Sequence, residues 1–160
     1  TTGRRIKLED RIGFLDRKLR IVNENTDNLK DWMDAAVTAY QTSKAYDWQG
    51  DNLLLARESL LYTFIDNYEF KFGERPDREH VKEIAFIISW NVWQMDGLKG
   101  VIPNSCHDVE TRNLYGEVER TPCPGCKTKN IHKHNGIPVL LKVFSSGNTY
   151  PYHLLYNKNE

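Results

Sequence analysis

The sequence carries no net charge, since 22 Lys and Arg stand against 22 Asp and Glu. That balance excludes a whole-chain basic field of the kind that gives non-specific affinity for DNA. No apolar run approaches the roughly 18 residues that a membrane-spanning helix needs. The chain opens on polar and charged residues without the apolar core of a signal peptide, so no membrane partner is expected. Cysteine is scarce. Three residues, an odd number, are a poor basis for the disulfide framework of a small secreted domain, and a cytoplasmic, reducing setting is expected. There is also no Gly-rich phosphate loop, no Ser nucleophile elbow, no His-Glu-x-x-His zinc motif and no internal repeat.

What is present is ordinary globular material: 39% hydrophobic and 28% charged residues over 160 positions, enough for one domain with a real core. Ile12, Leu15, Leu19 and Val22 recur at helical spacing with charges between them, which predicts an amphipathic helix within 8–25. Asn28 or Asp27 can cap a second helix whose Leu29, Trp32, Met33, Ala36, Val37 and Tyr40 share a face. The first twenty residues are locally basic (Arg4, Arg5, Lys7, Arg11, Arg17, Lys18, Arg20) and read as a solvated helix face in preference to a phosphate-binding patch.

Lys44 to Trp48 reads as a strand, closed by the turn and cap residues Gly50-Asp51-Asn52. A long helix follows to about Phe72, where Gly73 can supply a left-handed cap. Pro76-Asp77 opens another helix with Val81, Ile84, Ala85 and Ile88 inward, and Trp90 to Asp96 then leaves helical spacing for a second strand ending in Asp96-Gly97. Strand, helices, strand is the order of a crossover unit in a parallel sheet. Ligands of such sheets bind beyond the strands' carboxyl ends, where Asp47 and Asp96 stand; solvated loop acids are the plain alternative. Trp48, Trp90 and Trp93 read as core or strand-edge packing, and His80 and His153 as ordinary surface histidines.

Beyond Gly100 the composition changes. Residues 101–135 hold all three cysteines and three of the five histidines but few periodic apolar positions, and 137–144 reads as one further strand. Cys123-Pro124-Gly125-Cys126 has the spacing that lets two thiolates reach one ion from a tight turn. His132 or His134 could close such a site, with Cys106 or its neighbour His107 supplying the fourth ligand. The expectation is a closed, structural Zn²⁺ held by Cys106, Cys123, Cys126 and one of His132 or His134, ordering a segment too poor in apolar residues to build its own core. Reduced thiols in a turn beside surface histidines, or a redox pair, are the alternatives. The redox reading is the weaker, because the pair does not open a helix after a strand.

Two long phrases carry a resemblance. Tyr46-Asp47-Trp48-Gln49-Gly50-Asp51-Asn52-Leu53-Leu54-Leu55-Ala56-Arg57 resembles the segment after the first motif of N6-adenine DNA methyltransferases, where a strand ends in an acid before Asp-Asn and a helix. Ile87 to Leu98 (IISWNVWQMDGL) is similar to that family's next strand. The run from about Thr1 to Lys142 resembles restriction–modification enzymes of bacterial mobile elements and phages. The resemblance implies an α/β fold: a partial Rossmann-like methyltransferase sheet over 1–100, preceded by helices, then a Cys/His zinc-knuckle insert, short strand and tail over 101–160. It implies S-adenosylmethionine as the cofactor of the complete enzyme, with Asp47 on the cofactor ribose, Trp48 against its adenine ring and Asp96 on its adenine amino group. It implies DNA as a partner through the parent enzyme, and the rest of the methyltransferase domain as a second partner. The chain departs from the family where chemistry would be done. Only Gly13 stands in the 10–19 stretch, and no Asn/Asp-Pro-Pro-Tyr/Phe motif, which holds the flipped adenine, occurs anywhere. The expectation is a fragment that is inactive alone; the alternative is a non-catalytic, zinc-stapled module that binds DNA or protein.

Overall fold

The computed structural model describes residues 6–155, a mixture of helices and small sheets. The basic residues Arg4 and Arg5 lie outside them. The chain forms two units: Thr1–Ala45 with Leu54–Val92, and Tyr46–Leu53 with Trp93–Glu160. The second unit thus begins before the composition change at Gly100 and takes in the Tyr46–Leu53 loop.

The first unit is helical. A short 3-10 turn, Leu8–Asp10, precedes α1 (Phe14–Asn25), which starts later than the periodicity predicts because Gly13 stands at its N-cap. Leu15, Leu19 and Val22 of α1 are buried, whereas Ile12, ahead of the helix, is exposed. In α2 (Leu29–Gln41) the Asn28 side chain accepts from the Asp31 N–H, meeting one of the donors a helix start leaves unpaired. Helix α3 (Gly50–Phe72) ends where Gly73 takes φ +73 and donates to the Glu69 carbonyl. Asp77 caps α4 (Arg78–Asn91) through the His80 N–H.

Their core is aromatic. Trp32 is fully buried, with ring centroids 5.8 Å from Phe64, 5.5 Å from Tyr68 and 5.6 Å from Phe72. Its indole N–H donates to Asn23 at 2.7 Å, and Asn23 donates on to the buried Asn67. Buried Asn91 donates to the carbonyls of Tyr40 and Gln41 and accepts from Lys44, tying the end of α4 to the end of α2. A part-buried Arg11–Asp66 pair at 2.6 Å fixes the segment before α1 against α3.

The strands are short. β1 (Ala45–Asp47) and β2 (Val92–Gln94) pair only with each other; the second strand begins later than its sequence suggests because Trp90 and Asn91 continue α4. β3 (Val109–Arg112) and β4 (Val118–Thr121) form an antiparallel hairpin inside the segment that reads from sequence as loop. β5 (Leu140–Lys142) pairs antiparallel with β6 (Thr149–Pro151), a strand the turn-rich tail does not announce. Each sheet has two strands among the described residues. The second unit buries Leu53, Met95, Val101, Cys123, Val139 and Leu141, a thin core. No described helix is long and apolar enough to cross a membrane.

Candidate metal centre

Cys123, at the N-cap, and Cys126 open one short turn of helix, α5 (Pro124–Thr128), soon after β4, which corrects the expectation that the pair does not open a helix after a strand; Pro124 stands at its first position and Lys129 ends it at φ 54. A proline is suited to a first turn, where its missing N–H is not needed. Cys106 arrives from the loop that leads into β3, and His134 from the end of the 3-10 turn Ile131–Lys133. The four ligand atoms lie within 4.8 Å of one another. His134 Nδ1 is 3.5 Å from the Cys106 sulfur and 3.7 Å from each of Cys123 and Cys126. Zn–S of ~2.3 Å and Zn–N of ~2.0 Å in a tetrahedron give a sulfur-to-nitrogen edge of ~3.5 Å. The observed spacing matches that edge, so this Cys3His group could bind a metal ion such as zinc, and all four tetrahedral positions are protein atoms.

Two glycines permit the closure. A Cβ on Gly125 would stand 2.5 Å from the His134 backbone nitrogen and 2.7 Å from its Nδ1. A Cβ on Gly136 would stand 2.5 Å from Ser105 Oγ and 3.2 Å from the Cys106 sulfur. Asn135 supplies the clasp. Its N–H donates to the Cys123 sulfur at 3.4 Å, and its side chain both accepts from the His107 N–H and donates to the His107 carbonyl. One residue thereby holds the Cys106 loop against the His134 turn.

The charges favour a cation. Burial pushes the Cys123 thiol up, but N–H groups of Asn135, Cys126 and Gly125 and the His134 ring outweigh it, bringing the thiol down to about 6. Burial, together with hydrogen bonds and charge from Cys123 and Cys126, pushes Cys106 up to about 11. Three sulfurs this close cannot all be thiolates without a positive centre, which a divalent metal supplies. Lys99, ion-paired with Asp96 at 3.3 Å, is the nearby cation: burial opposes its charge, but Asp96 and the Cys126 and Cys106 sulfurs raise its pKa.

The remaining sequence candidates fall elsewhere. His132 is not in the group; its two ring nitrogens are buried without a hydrogen-bond partner and its ring lies edge-on to His153 at 5.7 Å. The His107 ring is not in the group either, and this residue enters through its backbone alone. Asp47 caps the turn into α3, accepting from the Gln49 N–H at 2.7 Å and the Asn52 side chain at 3.2 Å. Asp96 is buried in a turn, accepting from the Leu98 N–H and pairing with Lys99. Trp48 is half exposed, its carbonyl accepting from Gln94. Both acids are engaged in closing their own turns, and this geometry gives no support to an S-adenosylmethionine site. Sequence reasoning missed Gly136, Asn135 and Lys99. A glycine directly after Asn135 and near the last ligand is a signal of close backbone approach, but the clasp and the lysine leave no pattern in the chain.

No family model, curated protein or solved structure matches the chain.

Proposed function

We infer that this chain is a non-catalytic module, pinned by a structural Zn²⁺, of an adenine-specific DNA methyltransferase of the restriction–modification type. The observation that carries the inference is the Cys3His tetrahedron: four protein ligands leave no open position for water or substrate, which is the signature of a structural site. The methyltransferase assignment is supported by the Tyr46–Arg57 and Ile87–Leu98 phrases, and by β1 and β2, which fit a contribution of two strands to a larger Rossmann-like sheet. The complete enzyme would transfer a methyl group from S-adenosylmethionine to the amino nitrogen of a flipped adenine. Asp47 and Asp96, turned to local caps, would not hold the cofactor in the chain alone; the cofactor and target base would be held by the remainder of the enzyme.

A second reading keeps the zinc and drops the methyltransferase: a module that binds DNA or protein by itself. It is favoured by Lys127, Lys129 and Lys133 around the knuckle, all exposed and without an ion pair among the described residues. Calorimetry with S-adenosylmethionine and metal analysis of the purified chain test the inference together. One zinc per chain with no measurable cofactor binding is expected. Micromolar cofactor affinity would overturn the non-catalytic role, and a metal content of zero would overturn the staple. The flanking sequence separates the two readings, since a Gly-rich loop and an Asn-Pro-Pro-Tyr/Phe motif belong only to the first.

A further inference from the structure

The three sulfurs of the metal group are not equivalent. Cys123 is buried, and its sulfur accepts from the Asn135 N–H at 3.4 Å. Cys106 is half-buried in its loop, whereas Cys126 is exposed. The contact of the Cys126 sulfur with His134 is likewise open to solvent, and those of the other two sulfurs are part-buried. Solvent therefore meets the group chiefly at Cys126. Three thiolates and a neutral imidazole around a divalent cation leave one net negative charge, so electrons stay available on sulfur. Zn²⁺ has no redox chemistry of its own to take them up. Lys99, held by Asp96 at 3.3 Å, sets its ammonium within the field of the Cys126 and Cys106 sulfurs. A partly exposed sulfur beside a fixed cation is the setting in which thiolates react with oxidants.

A second thiolate stands ready to complete that reaction. Cys123 is the N-cap of α5 and Cys126 lies three residues on, in a turn closed by the Lys127 N–H on the Cys123 carbonyl at 2.9 Å. α-Carbons three residues apart on a helical turn are ~5 Å apart, within the range that a disulfide spans. The ligand atoms already lie within 4.8 Å of one another. Cys106 arrives from a separate loop on the far side of the β3–β4 hairpin. Closure of Cys126 onto Cys123 therefore traps the smallest loop and carries the least entropy cost.

We propose that Cys126 is an oxidant-reactive thiol and that its oxidation by hydrogen peroxide opens the metal centre. This rests on the structural-zinc reading above and adds a regulation of the same site. The Cys126 thiolate attacks the peroxide: an S–O bond forms, the O–O bond breaks, and the leaving hydroxide takes a proton to become water. The Cys123 thiolate then attacks the Cys126 sulfur: an S–S bond forms, the S–O bond breaks, and a second hydroxide leaves as water. Each thiolate gives up one electron, the peroxide takes both, and the two protons come from solvent. The disulfide withdraws two of the four ligands, leaving only Cys106 and His134, and zinc is released. Cys106 stands just before β3 and Cys123 just after β4, so the outer ends of the hairpin are then no longer pinned at one point. A dithiol reductant with zinc restores the clip.

The test treats the zinc-loaded full chain with hydrogen peroxide in the presence of a chromogenic zinc indicator, and then maps thiols and disulfides by peptide mass spectrometry. The expected result is release of the bound zinc with loss of two of the three thiols, a Cys123–Cys126 disulfide, and recovery of zinc binding after dithiothreitol. Zinc released at the same rate with and without peroxide overturns the proposal, and so does a disulfide that includes Cys106. Cys126→His keeps four ligands of the kinds zinc accepts and should retain its metal against the same peroxide dose. Release as fast as from the wild type overturns the assignment of Cys126 as the point of attack. Should this variant take up no metal, the disulfide map of the wild-type chain decides by itself. A wild-type chain that takes up no zinc overturns instead the structural-zinc reading on which the proposal rests.

Discussion

The two units of this chain are stabilised by different physics. The first surrounds Trp32 with Phe64, Tyr68 and Phe72, buries Ile84, Ile87 and Ile88 of α4, and gives half-buried Asn23 and buried Asn67 and Asn91 hydrogen-bond partners. The second has two short hairpins, a five-residue helix and a thin core in which a cysteine is one of the buried groups. Burial of apolar area at about 25 cal/mol per Å² can stabilise the first. The second has too little such area, and a metal bound by the four side chains would supply what packing does not. A segment dominated by loops then depends for its order on the one centre that ties its ends.

The largest expected effect divides the units. Removing zinc with a strong chelator should release exchange protection throughout the 105–135 segment and leave α1, α2, α4 and the Leu54–Phe72 part of α3 protected, as read by hydrogen exchange. Equal protection with and without metal would mean that the hairpins and α5 hold themselves. The next effect removes the centre without removing a ligand. Gly125→Ala puts a methyl group into the space of His134, so metal affinity should fall at least 10- to 100-fold, the scale on which supporting residues act. A competition titration against a chromogenic chelator measures it, and unchanged affinity would show that His134 is not the fourth ligand. On the other side of the comparison, Trp32→Ala should cost about 3–5 kcal/mol by urea unfolding while zinc content stays the same.

How much of this was legible in the sequence follows the same division. The helices are visible because their stabilising groups repeat along the chain. Leu15, Leu19 and Val22 mark a face, Asn28 and Asp77 mark starts, and Gly73 marks an end. The metal group is half visible: the Cys123–Cys126 spacing is local, and Cys106 was reachable as the third thiol. The choice between His132 and His134 was not, because both follow the knuckle at usable distance, and it is the turn Ile131–Lys133 that aims one ring at the sulfurs and buries the other. The β3–β4 hairpin was invisible for a related reason. Its strands are mostly exposed and read Val-Glu-Thr-Arg and Val-Glu-Arg-Thr, so no apolar alternation announces them, and the clip that pins their ends lies outside both. Asp47 and Asp96 teach the converse. An acid after a strand attracts a functional reading, yet here each finds its donors within a few residues.

A smaller effect sharpens the account of the metal unit through its protons. In the metal-free protein Cys123, lowered to about 6, is already a thiolate at neutral pH, whereas Cys106, raised to about 11, still carries its proton. Metal binding must expel that proton, so affinity should rise with pH throughout the range from about 7 up to the Cys106 value, by at least about tenfold per pH unit. Titrations at three pH values with the chelator's own protonation accounted for give the slope. A flat profile would place the Cys106 sulfur outside the metal's coordination.

The smallest expected effect tests the claim that packing, and not surface charge, holds the helical unit. Two of its ion pairs have nearly the same length: Arg11–Asp66 at 2.6 Å and Lys82–Glu79 at 2.7 Å. The first has side chains 17% and 7% exposed, the second 54% and 77%. In water the attraction between exposed charges is screened and is offset by the entropy of holding two long side chains still, so length alone does not set the strength. Lys82→Ala should therefore shift the unfolding free energy by less than ~0.5 kcal/mol, by urea titration of the zinc-loaded chain. A loss above ~1 kcal/mol would mean that the surface of α4 contributes to stability on the scale of a buried contact, and the division between a packed unit and a metal-tied one would have to be redrawn.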